Sequence, residues 1–316
     1  NFRLGDLEHA QRVFSLVIEP GLGISVRKEA LAALLDWGSP GPRDRVTGFW
    51  RPVGTRDAAV LNRVKAFLAE NIPTLLGIAD EQLQTDVVKL IERYQLPTDD
   101  AIFESWVADP AKSPASQTAA LRMLTIRQSP RASTAIKAAL QSDRPHVRAE
   151  ARDMFAILNP PDAVGMLADL VNDELASVVE RQRALATLGR LKLDSADIVL
   201  KTWGDRLQAD KVPDALILDV LEAADGRGLP ELKQLAASFR ESLASKDILT
   251  RNRMSLSGGD GERGREIFQR HRFGQCVRCH KVGLEITGGN AGPDLQHVAG
   301  RHDRASLLQS LVDPNA

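Results

Sequence analysis

Cysteine is almost missing from this chain, with two in 316 residues. The two lie three positions apart, and a disulfide between them would close too small a loop to staple a fold. Aromatic residues are equally scarce at 4%, while Ala and Leu are abundant, a bias towards closely packed helices. No run of about 18 apolar residues exists, so nothing in the sequence is built to span a membrane. Neither sign of charge prevails: the net charge is −1, which leaves no electrostatic footprint for nucleic acid or for an anionic membrane surface. There is no catalytic dyad, no phosphate-binding loop and no metal-helix motif. The chain opens on "NFRLGDLEHAQ", without an initiator Met or an apolar leader, and stops at "LVDPNA" directly after a helical pattern. It reads as a piece cut at both ends, so missing targeting signals carry little weight.

What the chain does have is helical periodicity, from the start to about residue 250. Ala30, Leu31, Leu34 and Leu35 fall on one face of a helix; so do Val60, Val64, Phe67 and Leu68, and again Val87, Val88, Leu90, Ile91 and Tyr94. No period-2 run competes with these stripes. The expected class is all-α.

The helices recur. "HVRAEARDMFAIL" (146–158), "VERQRALATLGRL" (179–191) and "VPDALILDVLEAA" (212–224) are spaced by about 33 residues, with shorter helical patterns between them and breakers such as "SDRP", "NPPD" and "DGRGLP". A helix pair repeated in this way cannot close a core alone and must stack on its neighbours, as in an α-solenoid. The "VRAEA" pattern resembles HEAT-type repeats. An irregular helical bundle is the alternative. Met123, Met154 and Met166 read as core fillers, Met254 as a plain linker residue, and Trp37, Trp50, Trp106 and Trp203 as packing residues.

Composition changes at "RNRMSLSGGDGERG". Ser255, Ser257, Gly258 and Gly259 read as a flexible joint. The expected division is a repeat domain over 1–250, a linker over 251–259 and a further domain over 260–316. Asp260 is placed to cap a new helix presenting Ile267 and Phe268, and Asp303 to cap a last one. Between them stands "FGQCVRCHKVG" (273–283), which holds both cysteines and a histidine directly after the second.

Four chemistries compete for that cluster. A disulfide staples little. A thioredoxin-type redox pair needs a strand before it and a helix after it, and here a helix precedes and a Gly-rich loop follows. Zinc has a candidate set in Cys276, Cys279, His297 and His302, whose pair spacings suit it. Its inner gap of 17 residues is long, however, Gly292-Pro293 would break the helix such a site wants, and His280 would have no role. Cys-x-x-Cys-His is also the attachment signature of a c-type haem. Two thiols on one turn add to the two vinyl groups, and the adjacent His stands under the iron. In that chemistry Cys276 and Cys279 are thioether anchors and His280 is the axial ligand.

On these residues the C-terminal part resembles a class I cytochrome c domain: "GDGERGREIF", "CVRCH" and "GGNAGPDLQHVAGR" look like that family's first helix, haem turn and following loop. More narrowly, the chain resembles haem-binding proteins of planctomycetes and verrucomicrobia, in which such a domain follows helical repeats, often behind a propeller-type dehydrogenase domain. "LDWGSPGPRDRVTGFWRPV" and "LLQSLVDPNA" look similar to segments of those proteins. The resemblance implies a HEAT-like solenoid followed by a C-terminally incomplete cytochrome c domain, an iron-bearing haem c, electron transfer to a redox partner protein or a fused dehydrogenase domain, and a periplasmic or other extracytoplasmic location. It also implies that the Pro293 carbonyl accepts the ring N–H of His280, and that Arg301 pairs with a haem propionate. No Met follows Cys279, so the sixth iron ligand is expected beyond residue 316. The reading that stands against all of this is a HEAT-like interaction scaffold with a Cys2His2 zinc site.

Overall fold

The computed structural model describes residues 1–316 except 43, 46, 48, 260, 272, 284–287 and 316, and except the side chains of 262 and 270. The described residues form seventeen α-helices and three short 3-10 helices, with no strand among them. The chain divides into two compact units, one of Asn1–Ala135 with Cys276–Gln296, the other of Ile136–Gln275 with His297–Ala316.

In the first unit the helices are α1 (Leu7–Ile18), α2 (Ile24–Leu35), α3 (Ala58–Glu70), α4 (Ile72–Leu76), α5 (Glu81–Tyr94), α6 (Asp100–Ala108) and α7 (Pro114–Ile126). Carboxylates and hydroxyls start most of them. Asp6, Asp57, Asp80, Asp99 and Ser113 each accept an orphan backbone N–H of the first turn. Helices α2, α5 and α7 pack side by side, and the apolar stripes legible in the sequence are what they bury: Leu31, Leu34, Val87, Leu90 and Ile91 are closed to solvent. The Tyr94 hydroxyl donates to the Leu34 carbonyl at 2.7 Å, tying the end of α5 to the end of α2.

Helix α8 (Ala132–Leu140) spans the division. The second unit then holds α9 (Pro145–Leu158), α10 (Pro160–Asn172), α11 (Val178–Arg190), α12 (Asp194–Gln208), α13 (Asp214–Arg227), α14 (Pro230–Ser242), α15 (Ile248–Asn252), α16 (Gly261–Arg270) and α17 (Arg304–Val312). Helices α9, α11 and α13 lie next to one another, and so do α10, α12 and α14. This is the two-layer stacking that a solenoid of helix pairs requires. The prolines in "SDRP", "NPPD" and "GLP" do more than break helices. Pro145, Pro160 and Pro230 each occupy the first turn of α9, α10 and α14, where the missing N–H costs nothing and the fixed φ favours the helix.

The stack is keyed by charge as well as by apolar packing. Glu180, only 3% exposed, opens α11 as half of a capping box with Ser177. Arg148 of α9 donates to both of its oxygens, at 2.8 and 2.7 Å, and Arg152 adds a third bond at 2.7 Å. One turn on, Arg183 of α11 reaches back to the buried Glu150 and Asp153 of α9. Bidentate guanidinium–carboxylate pairs fix the register of one repeat on the next in a way that apolar contacts alone do not. Burial on its own would raise the Glu180 pKa. The bonds from Arg148, Ser177 and Arg152 outweigh it and hold the group at about 2.

Two expectations change. Trp37, Trp106 and Trp203 are buried as packing residues, but Trp50 is 66% exposed on the α2–α3 connection, beside the equally exposed Phe49. The stretch read as a flexible joint is docked. Arg253–Leu256 forms a 3-10 helix against α13, because Met254 packs on the core of the second unit and Gln182 of α11 donates to the Ser257 carbonyl at 2.9 Å. Asp260 and its cap lie outside the described residues. Asp303 caps α17 as expected, accepting from the Ser306 N–H at 2.7 Å.

Candidate functional site

The cysteine turn is short and tightly wound. Cys276–Arg278 is a 3-10 helix whose last bonds run from the N–H of Cys279 to the Cys276 carbonyl at 3.2 Å and from that of His280 to the same oxygen at 2.9 Å. Both thiols are free, Cys276 half-buried and Cys279 exposed. The winding puts the two cysteines at successive positions of one turn with His280 directly below them in sequence.

The Gly-rich loop returns along this turn. Gly289 N–H donates to the Val277 carbonyl at 2.9 Å, Gly292 N–H to that of Cys279 at 2.8 Å, and Leu295 N–H to that of Lys281 at 2.9 Å. Asp294 closes the loop by accepting from the N–H groups of Gly283 and Gln296, both at 2.9 Å. Such a close return needs residues without side chains. A Cβ on residue 292 would stand 2.5 Å from His280 Cε1 and 2.7 Å from its Nδ1, and one on residue 288 would overlap the His280 carbonyl oxygen.

The loop also orients the histidine. His280 Nδ1 lies 2.9 Å from the carbonyl oxygen of Pro293. A carbonyl oxygen can only accept, so Nδ1 carries the proton and Nε2 keeps its lone pair. An imidazole held in this way presents Nε2 in a fixed orientation.

Of the residues singled out in the sequence, the structure brings together Cys276, Cys279, His280 and Pro293. Arg301 belongs to the other compact unit, where it follows the 3-10 helix Val298–Gly300 and is exposed. His297 and His302, also exposed, flank the same short helix. Among the described residues no three His, Cys, Asp or Glu side chains are grouped as metal ligands would be. Sequence reasoning missed Asp294 and the packing role of Gly288, Gly289 and Gly292. The signal was the density of glycine in "GGNAGPD", which read only as a loop.

Apolar side chains next to the turn in sequence are left open. Phe273 is 90% exposed and Ile267 of α16 is 48% exposed. Two free thiols and an imidazole oriented through Nδ1 thus stand on one short turn. No protein-family model, curated protein or solved structure matches the chain.

Proposed function

We propose that Cys276, Cys279 and His280 hold a covalently attached c-type haem and that the protein is an electron carrier built on a stacked helical scaffold. The observation that carries the proposal is the 2.9 Å contact from His280 Nδ1 to the Pro293 carbonyl. It gives the ring the tautomer and the fixed orientation that an axial ligand needs, and a surface histidine without a role has no reason to be clamped by a returning loop.

The haem supplies one-electron chemistry when bound. The chain's own residues supply attachment, orientation and electrostatics. Cys276 and Cys279 offer thiols for the two thioether bonds. His280 offers Nε2, and the hydrogen bond at Nδ1 makes that nitrogen more electron-rich, which favours the oxidised iron and lowers the potential. Arg301 is proposed as a propionate partner. The same reading carries an extracytoplasmic location, where c-type haems are attached, and a redox partner protein or fused dehydrogenase domain as the source or sink of electrons. No helix is long and apolar enough to cross a membrane among the described residues.

The test is production in a host that matures c-type cytochromes. Haem that stays with the polypeptide through denaturing electrophoresis, with a haemochrome spectrum of thioether-linked haem, is the expected result. A colourless protein carrying one zinc per chain would overturn it in favour of the interaction scaffold.

A further inference from the structure

Asp219 lies in the middle of α13 and is 8% exposed. Its Oδ2 is buried and meets no hydrogen-bond donor among the described residues. What covers it is the segment after the repeats. Gly258 comes so close that a Cβ there would stand 3.1 Å from Asp219 Oδ2 and 2.7 Å from Leu218 Cβ. The same segment is held by Met254 in the core, by the Gln182 Nε2 bond to the Ser257 carbonyl and by Arg304, which donates to the Leu256 carbonyl at 2.7 Å. Every other buried carboxylate of this stack has arginines on it: Glu150, Asp153 and Glu180 are all paired. Asp219 has no such partner.

The surroundings offer it little. On α13 the nearest charge is Glu222, of like sign and one turn on; Asp214, at the helix start, is paired with Arg253 of the docked segment at 3.3 Å. From α11 the polar neighbour is Gln182, whose side chain favours the ionised form, although its Nε2 is shared with the Ala215 and Ser257 carbonyls. From α16, Arg263 stands 4.0 Å from Glu222. An ionised carboxylate sealed in such a place costs far more than a protonated one.

We infer that residues 253–258 form a pH-released latch: they stay docked on α13 while Asp219 is protonated, and lift off as Asp219 gives its proton to solvent. Burial is the largest influence and Glu222 adds to it; hydrogen bonds from the backbone and from the Gln182 side chain act against them, and the balance pushes the docked carboxyl up to about 7, against 3.8 for a solvated one. A group whose pKa is higher in the docked form favours docking fully below the solvated value. That contribution is lost as pH rises through the docked one, so the sensitive window runs from about pH 4 to about pH 7. Released, the six residues would add on the order of 20 Å of tether before α16 and the cysteine turn. The latch is independent of whether that turn carries haem.

The test is amide hydrogen exchange on the full chain, with rates normalised to their intrinsic pH dependence. The reporter is the Gly258 N–H, which donates to the Met254 carbonyl at 3.2 Å. Protection in the parent chain should fall on the order of tenfold or more between pH 5 and pH 7.5. In Asp219→Asn, which cannot ionise, it should stay level. Glu222→Gln, at an exposed position, should shrink the change if Asp219→Asn does not fold. Gly258→Ala, whose methyl meets Leu218, should lose protection at both pH values while the urea midpoint of the stack is kept. A parent chain with no pH response, an undiminished response in Asp219→Asn or Glu222→Gln, or full protection in Gly258→Ala would each overturn the latch.

Discussion

Gly292 and His280 are in contact with no room for a methyl group between them: a Cβ at 292 would be 2.5 Å from the imidazole Cε1. The ring is held on one side by this backbone and at Nδ1 by the next carbonyl, that of Pro293. The substitution Gly292→Ala should therefore push the ring off its hydrogen bond without touching the helical stack. If the turn holds haem as proposed, the expected outcome is a weakened or lost His280 ligand, seen as a shift of the Soret band and a higher reduction potential, with a helical circular dichroism signal unchanged from the parent.

The thioether assignment makes a sharper demand. Cys276→Ala or Cys279→Ala should each leave one bond and a weakened attachment, and the double variant should release all haem under denaturing conditions. His280→Ala should keep both thioethers and lose the axial ligand. Covalent haem surviving in the double cysteine variant would remove the basis for the site.

Much of the helical fold was legible in the sequence, for identifiable reasons. Apolar stripes such as Val87, Val88, Leu90, Ile91 and Tyr94 are period-3.6 signals, and all five are buried in the fold. The Cys-x-x-Cys-His turn is local, so its residues are close together in any fold. The clamp of Pro293 on His280 spans 13 residues of loop. Only the resemblance to cytochromes c suggested it; periodicity carries no information about a loop's return path. The docked linker was missed because Ser and Gly set backbone freedom, whereas docking was decided by one apolar side chain, Met254, and by the closeness of Gly258 to Leu218. Trp50 was misjudged because a large aromatic is taken as core by default, and nothing in the sequence marks a Trp on a connection as largely exposed. The Arg148–Glu180 pair was not read from the sequence: the Ser177-to-Glu180 spacing went unremarked, and the partner in the preceding repeat is a tertiary fact.

That pair gives a stability prediction. Glu180 is buried with four hydrogen bonds on its carboxylate, so Glu180→Ala strands Arg148 and Arg152 and should cost about 3 kcal/mol in urea unfolding of the full chain. Arg148→Ala should cost less, since Arg152 and Ser177 remain on the carboxylate. The double variant should be less damaging than the sum of the two, by about 1–2 kcal/mol of coupling. Strict additivity would mean that the ion pair does not key the repeats.

Glu180 and Asp219 titrate in opposite senses, and together they shape the acid side of the stability curve. The Glu180 pKa is depressed to about 2 from 4.5, so its contribution is fully present above pH 4.5 and is lost as pH falls through 2. The shift corresponds to about 3 kcal/mol. Asp219 is raised to about 7 from 3.8, so its contribution is present below pH 3.8 and is lost as pH rises towards 7. The Asp219 loss has a ceiling. Once the cost of keeping the ionised group buried exceeds the cost of undocking residues 253–258, the segment lifts and the carboxylate is solvated with the stack intact. Urea midpoints of the full chain between pH 2 and pH 8 should therefore fall steeply on the acid side below 4.5 and only gently from 5 to 7. Asp219→Asn should flatten the second slope and leave the first, and Glu180→Gln should lower the plateau and flatten the first. If Asp219→Asn removes the acid limb instead, the roles given to the two carboxylates are exchanged and the latch has the wrong group.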